Sequence, residues 1–358
     1  MNGLPGWDRG TSPYHRGERE LHDRLDRGER QDAIGRRVLR PYMPDQHREF
    51  FRQLPFLVLG SVDAEGWPWA SMLFGRPGFA ESPEPRRLEV RARPLRGDPL
   101  REYLADGMPA GVLGIELPTR RRNRMNGIVA LDTDLDDARM DGARGDDARS
   151  DGVHRGFAIE VVQSFGNCPQ YIQTRAPHWV REPEDEAADP VVEPLDRLDA
   201  DAVRLIRNAD TLFVASHNPD DDPRDTGGVD VNHRGGRSGF VLVEGNTLTV
   251  PEYVGNYMFN TLGNFLVCPK AGLLFVDFDS GDLLLLTGRV ELLWEKTPEF
   301  EAFRGAERGW RFTLHRGVRL RGGSPLRWRF GELSPNVLQT GDWDEAAQRV
   351  AGEAGPQA

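Results

Sequence analysis

Gly236-Arg237-Ser238-Gly239-Phe240 repeats an earlier stretch, Gly75-Arg76-Pro77-Gly78-Phe79, and this repetition decides how the chain is built. Two further matches keep the same register. Ala110-Gly111-Val112-Leu113 returns as Ala271-Gly272-Leu273-Leu274, and Asn126-Gly127-Ile128-Val129 returns as Thr287-Gly288-Arg289-Val290. The offsets 236 − 75, 271 − 110 and 287 − 126 all equal 161. A period this long repeats a whole domain, whereas stacked solenoid units recur every ~20–50 residues. Two copies can build one site from unlike halves, so the positions where they differ are the ones to read for chemistry.

The 358 residues suffice for about two ordinary domains. The 40 glycines and 26 prolines favour turn-rich β architecture over a helical bundle. No apolar run approaches the roughly 20 residues that span a bilayer. Residues 1–32 are polar and carry no apolar signal core, so a cytoplasmic protein is expected. Cys168 and Cys268 fall one in each copy without CxxC spacing. That fits a reducing compartment and supports neither a disulfide framework nor a metal site. A net charge of −11 argues against nucleic acid as partner. The acidic stretches 132–151 and 182–201 read as solvated loop or linker. Lysine occurs only at 270 and 296, so the wealth of arginine is by itself weak evidence for anion binding.

Residues 1–42 read as a mostly polar, partly helical extension. A first domain then covers 43–181, an acidic linker 182–203, a second domain 204–330 and a tail 331–358. Within the first domain, a short helix with Pro44 in its first turn precedes apolar strands over 56–62 and 67–73. Further strands are expected at 88–93, 112–117, 125–131 and 157–162. Asp98 and Pro99 mark the start of a short helix between the third and fourth of these six strands. The second domain repeats the order, with strands at 212–216, 229–232, 240–243, 248–250, 273–278, 283–293 and, last, 310–314. A helix is expected over roughly 256–266. Many short strands with few helices favour a closed or partly closed barrel, which removes exposed sheet edges.

The order of these elements resembles the pyridoxamine 5'-phosphate oxidase-like split-barrel family. The resemblance rests on Val229-Asp230-Val231-Asn232-His233-Arg234-Gly235-Gly236-Arg237-Ser238-Gly239-Phe240-Val241. It continues through Leu248-Thr249-Val250-Pro251-Glu252-Tyr253-Val254-Gly255-Asn256 and Asn260-Thr261-Leu262-Gly263-Asn264, and counting both copies it spans about residues 43–320. It implies a mainly β (α+β) fold: two tandem split β-barrels packed as an internal pseudo-dimer, with FMN in the groove between barrels. A homodimer of whole chains stays open. In the vitamin-B6 oxidases of that family the helix start carries a basic pair. The matching Gly255-Asn256-Tyr257-Met258 lacks it, so pyridoxamine phosphate is not assigned as substrate.

At the offset of 161, Asn232-His233-Arg234 stands opposite Ser71-Met72-Leu73, so the second copy is polar where the first is mostly apolar. Arg234 and Arg237 are suited to charge-assisted hydrogen bonds with a phosphate. Backbone N–H groups at the helix start around Gly255 and Asn256, next to Tyr257, would add to them, with Ser238 beside Arg237. Asn260 and Thr261 lie on the same short helix, where such residues usually cap or bind. Asn256 reads as the helix N-cap in any case. His233 is the candidate catalytic residue: it either donates a proton or hydrogen bond to a flavin or caps its local turn. In the first copy, Thr119-Arg120-Arg121-Arg122-Asn123-Arg124 faces Ser280-Gly281-Asp282-Leu283-Leu284-Leu285. Arg122 and Asn123 are therefore either a solvated hairpin tip or a reach toward the partner barrel's groove. Asn167-Cys168-Pro169-Gln170-Tyr171 follows the last strand of the first barrel and brings Gln170 and Tyr171 toward that groove. Cys168 reads as a small buried residue rather than a redox thiol beside a flavin.

The expected function is an FMN-binding flavoprotein, an FMN-dependent oxidoreductase acting on a small molecule. NAD(P)H or a separate reductase would supply electrons, although no dinucleotide-binding fingerprint is present. The alternative is a non-catalytic flavin-binding or interaction module, or an electron-transfer partner of a reductase. Fold alone does not separate these readings.

Overall fold

A computed structural model describes residues 6–131, 156–185, 189–295 and 297–353. The fold is mainly β. The first copy contributes β1 (Phe56–Val62), β2 (Pro68–Phe74), β3 (Ala80–Glu84), β4 (Arg87–Val90), β5 (Pro109–Glu116), β6 (Arg121–Ala130) and β7 (Phe157–Gly166). They pair antiparallel in the order β2-β1-β5-β6-β7-β4-β3. After β8 (Arg175–Trp179) and β9 (Val191–Leu195) come β10 (Thr211–Asn218), β11 (Gly228–Gly235), β12 (Leu242–Glu244), β13 (Thr247–Tyr253), β14 (Lys270–Val276), β15 (Leu283–Leu293) and β16 (Ala306–Arg321). Their order is β11-β10-β14-β15-β16-β13-β12, which matches the first sheet strand for strand.

The repeated motifs mark the same physical demands in both copies. A Cβ on Gly75 would sit 2.3 Å from Cγ of Phe79, and one on Gly236 would sit 2.4 Å from Cγ of Phe240. The ring thus lies over the first glycine, and the second glycine, Gly78 or Gly239, turns the corner at φ +100° or +84°. The ladder shifts register at Asn126/Gly127 between β6 and β7, and at Thr287/Gly288 between β15 and β16. At each shift a Cβ on the glycine would lie about 2 Å from a carbonyl oxygen, that of Glu160 or of Thr313.

Each copy has its own apolar interior, and a third cluster belongs to both. Val58, Leu113 and Met72 from the first copy pack with Phe213, Leu274 and Leu285 from the second, all at most 1% exposed. Fully burying side chains of this size contributes roughly 1.5–3 kcal/mol each. β2 lies against β10, β14 and β15, while its counterpart β11 lies against β1, β5 and β6. This reciprocity is that of a two-fold interface, here within one chain. Beyond the closing strands, β8 pairs with β17 (Leu326–Phe330) and ties the two ends together.

Several elements depart from the sequence reading. β3 and β17 were not expected, and β16 runs on to Arg321 well beyond 314. Val191–Leu195, inside the acidic stretch 182–201, adds to the second sheet as β9, paired with β16. The other acidic stretch, 132–151, lies outside the described residues. The helix expected from 256 starts at Asn260, because Tyr257 and Phe259 sit at φ +57° and +60° and make 256–259 a turn. Asn256 caps that turn, accepting from Met258 N at 3.2 Å, and is not the helix N-cap.

Eight helices of the described residues surround the sheets: α1 (Arg16–Arg24), α2 (Gly28–Val38), α3 (Asp45–Arg52), α4 (Pro99–Tyr103), α5 (Ala200–Asn208), α6 (Asn260–Val267), α7 (Pro298–Ala302) and α8 (Trp343–Glu353). Asp98 caps α4 as its sequence suggests, accepting from Leu100 N at 2.9 Å. None of these helices is long and apolar enough to cross a membrane. α1 packs on α6 of the second copy. A Cβ on Gly17 would fall 2.1 Å from Gly263 O, so the two backbones meet without side chains between them.

Candidate functional site

A pocket opens between the copies, with about 790 Å³ of unfilled space counting solvent at its mouth. The first copy lines it with Arg122 and Arg124 from β6 and with Asn167, Cys168, Gln170 and Tyr171 after β7. The second lines it with Asn232, His233 and Arg234 from β11, residues around the 256–259 turn, and Arg308 from β16.

Side chains alternate across a strand, so Arg122 and Arg124 share one face of β6 while Asn123 takes the other. Only the tight turn at 117–120 forms a tip, and Arg122 and Arg124 already belong to the ladder. Arg122 Nε donates to Cys168 O at 2.7 Å, and its Nη1 reaches Asn232 Oδ1 at 3.5 Å and His233 O at 3.4 Å. All of these partners are neutral. Burial pushes its pKa down to about 10, and the like charge of Arg234 adds to that. Arg124, 1% exposed, forms an ion pair with Asp230 and donates to Asn260 Oδ1 at 3.1 Å. Arg234 pairs with Glu252 at 2.9 Å, and Arg308 with Glu307 at 3.0 Å. Arg308 also lies over the Trp294 ring at 4.6 Å.

His233 is 3% exposed, and both of its ring nitrogens lack a hydrogen-bond partner among the described residues. Burial, reinforced by Arg122, Arg234 and Arg175, holds its pKa well below the ordinary imidazole value. The ring is therefore neutral near pH 7, with one N–H to donate and one lone pair to accept. Thr261 Oγ1, in the first turn of α6, is likewise buried without a partner among the described residues. Orphaned polar groups of this kind cost stability unless something fills the site.

Aromatic rings form the remaining wall. Tyr171, at φ +66°, donates from its hydroxyl to Val254 O at 2.9 Å and places its ring 5.0 Å from that of Tyr253. Burial is the main cause that pushes its pKa up to about 12. Tyr257 and Phe259 stand edge to face at 5.9 Å. Asn256 Nδ2 donates to Asn167 Oδ1 at 3.1 Å and joins the two copies at the rim.

Of the residues singled out from sequence, the structure brings Arg122, Gln170, Tyr171, Asn232, His233, Arg234, Asn256, Tyr257, Asn260 and Thr261 to one pocket. Arg237, Ser238 and Asn123 are not among its walls. Arg237 pairs with Glu345 of α8 at 2.7 Å, and Ser238 Oγ donates to Asn208 O at 3.0 Å. The equivalent Arg76 pairs with Glu182. In both copies the corner arginine braces the barrel against a neighbouring segment, which corrects its assignment to the phosphate site. Sequence reasoning took in Arg124 only as the end of the 119–124 stretch, without naming it as a site residue, and missed Arg308. The two-residue alternation from Arg122 points to Arg124, whereas nothing local marks Arg308. It also missed the N-terminal segment, whose His22 Nε2 lies 2.8 Å from Tyr257 O.

No family description and no curated protein matches this chain. Solved structures align with parts of this chain at low similarity. HupZ of Group A Streptococcus is 18% identical, with a TM-score of 0.26 over 34% of this chain and 92% of its own. A candidate pyridoxamine 5'-phosphate oxidase from Lactobacillus delbrueckii is 16% identical, with a TM-score of 0.27 over 35% of this chain and 94% of its own. A Clostridium acetobutylicum protein of the pyridoxinephosphate oxidase family, related to general stress protein 26, is 13% identical, with a TM-score of 0.26 over 36% and 92%. Likeness at this level assigns no chemistry to the present chain.

Proposed function

We propose that the pocket binds FMN and that the protein is a flavin-dependent oxidoreductase acting on a small molecule. The observation that carries this reading is Arg122. It is a guanidinium lodged between the copies with only neutral oxygen partners among the described residues. A charge so placed calls for an anion. The orphaned His233 nitrogens and Thr261 hydroxyl fit the same ligand, since each can hydrogen-bond to a phosphate or a polar ring edge. Arg122 and Arg234 would hold the phosphate, and the rings of Tyr171 and Tyr257 would flank the planar flavin.

Bound flavin supplies a two-electron acceptor and donor, which no side chain offers. The chain's own part is to orient, exclude water and offer hydrogen bonds. His233, neutral near pH 7, would act as a hydrogen-bond donor or acceptor toward the ligand. Electrons would come from NAD(P)H or a separate reductase.

The test is direct. Purified protein should carry or take up FMN, absorb in the flavin bands, release FMN on denaturation and gain thermal stability with it. A colourless protein whose unfolding temperature ignores FMN would overturn the reading.

A further inference from the structure

Glu18 lies outside both copies, on α1 of the N-terminal segment, yet it is 3% exposed. Its carboxylate accepts from Asn260 Nδ2 and, at 2.9 Å, from the backbone N of His15. The other end of the same amide, Asn260 Oδ1, accepts from Arg124 at 3.1 Å, and Arg124 is ion-paired with Asp230. One run of polar contacts therefore links the N-terminal segment, the second copy and the first. Arg124 answers to two carboxylates, Asp230 directly and Glu18 through Asn260. Arg122, two positions before it on the same strand face, has no carboxylate partner among the described residues.

We propose that Glu18 is a specificity-determining residue whose negative charge offsets Arg124 and limits the pocket to ligands with a single phosphoryl group. The inference rests on reading the pocket as a phosphate site. Glu18 has no room to withdraw, because Gly17 meets the backbone of Gly263 and His22 holds Tyr257 O. Burial raises its carboxyl pKa, while His15, Asn260 and Arg124 act in the opposite direction. A second phosphoryl group beside Arg122 would be repelled by this carboxylate in a poorly screened setting. With the charge removed, Arg124 answers to Asp230 alone, and with the Thr261 hydroxyl, which has no partner among the described residues, it would tolerate a second phosphoryl group within the same pocket.

Calorimetric titration of the full chain with inorganic phosphate and with pyrophosphate at pH 8 tests this. Wild type should prefer phosphate. Glu18→Gln keeps the size and the acceptor toward Asn260, and it should raise pyrophosphate affinity about tenfold relative to phosphate. Glu18→Asp, which keeps the charge, should retain the wild-type ratio. An unchanged ratio in Glu18→Gln, or a wild type that prefers pyrophosphate, overturns the inference. The second result needs no variant to fold. If neither anion binds wild type or variant, the phosphate reading of the pocket itself falls and takes this inference with it.

Discussion

Gly111 and Gly272 hold equivalent places in the contact between the two copies. A Cβ on Gly111 would lie 2.9 Å from Asp230 Cα, and one on Gly272 would lie 2.6 Å from Trp69 Cα. Each glycine is the one its motif repeats, so the duplicated sequence records a backbone approach that only glycine permits. Gly111→Ala and Gly272→Ala should each cost about 1–3 kcal/mol, because the obstacle is backbone and not a flexible side chain. Urea unfolding of each variant checks this. The midpoint should fall with the slope unchanged, and an unshifted midpoint would show that the copies are not pressed together there.

The sequence points to Arg237 for the phosphate and leaves Arg122 in a hairpin tip that is either solvated or reaches toward the groove; their surroundings separate them. Arg122 borders the pocket with neutral partners, whereas Arg237 is held by Glu345. Arg122→Ala should weaken FMN binding about tenfold or more, as the loss of a charge-assisted contact does. Arg237→Ala should change it less than about twofold, since only a partly exposed ion pair is lost. Quenching of flavin fluorescence reports both constants. Equal losses in the two variants would return the phosphate to the corner arginine.

Duplication allows two pseudo-equivalent grooves, and the second is filled. The counterparts of Arg122 and Arg124 are Leu283 and Leu285, both fully buried, and Leu95 and Val192 pack against the cluster that contains them. A Cβ on Gly97 would sit 2.5 Å from Val192 Cγ2. Binding should therefore saturate at one FMN per chain. Two tight equivalents in a titration would contradict this account.

The repeat made the fold legible because its glycines answer to local geometry: a ring over Gly75, a ladder shift at Gly127, a close approach at Gly111. Most of the pocket could be read for a similar reason, since Asn232, His233 and Arg234 stand where the other copy has Ser71, Met72 and Leu73. What stayed hidden depends on tertiary approach. Nothing near Glu18 in sequence announces Asn260, which lies 242 positions away. The corner arginines misled because a repeated Arg reads alike whether it binds a ligand or, as at Arg76 and Arg237, a carboxylate.

Buried histidines set how the fold responds to acid. His47 and His217 are each pushed down from 6.5 to about 4, burial being the larger cause, with Arg40 and Lys270 respectively adding to it. In the unfolded chain both titrate near 6.5. Between these values the unfolded chain takes up protons that the folded imidazoles refuse. Their contribution is thus complete above about pH 6.5 and is lost as pH falls toward 4. His22 and His233, also lowered by burial, act with the same sign. Asp98 opposes them: burial raises its carboxyl to about 6, so its effect weakens the fold as pH rises from about 3.8 to 6. Glu18, whose carboxyl burial also raises, acts with Asp98. With four imidazoles against these two carboxyls, the fold should lose stability between pH 6.5 and 4.5. His217→Asn should flatten that loss by up to about 3 kcal/mol at pH 4. Urea unfolding of wild type and His217→Asn at pH 7, 5.5 and 4.5 separates the contributions. Identical pH dependence in the two would mean that His217 titrates in the folded protein as it does in the unfolded chain.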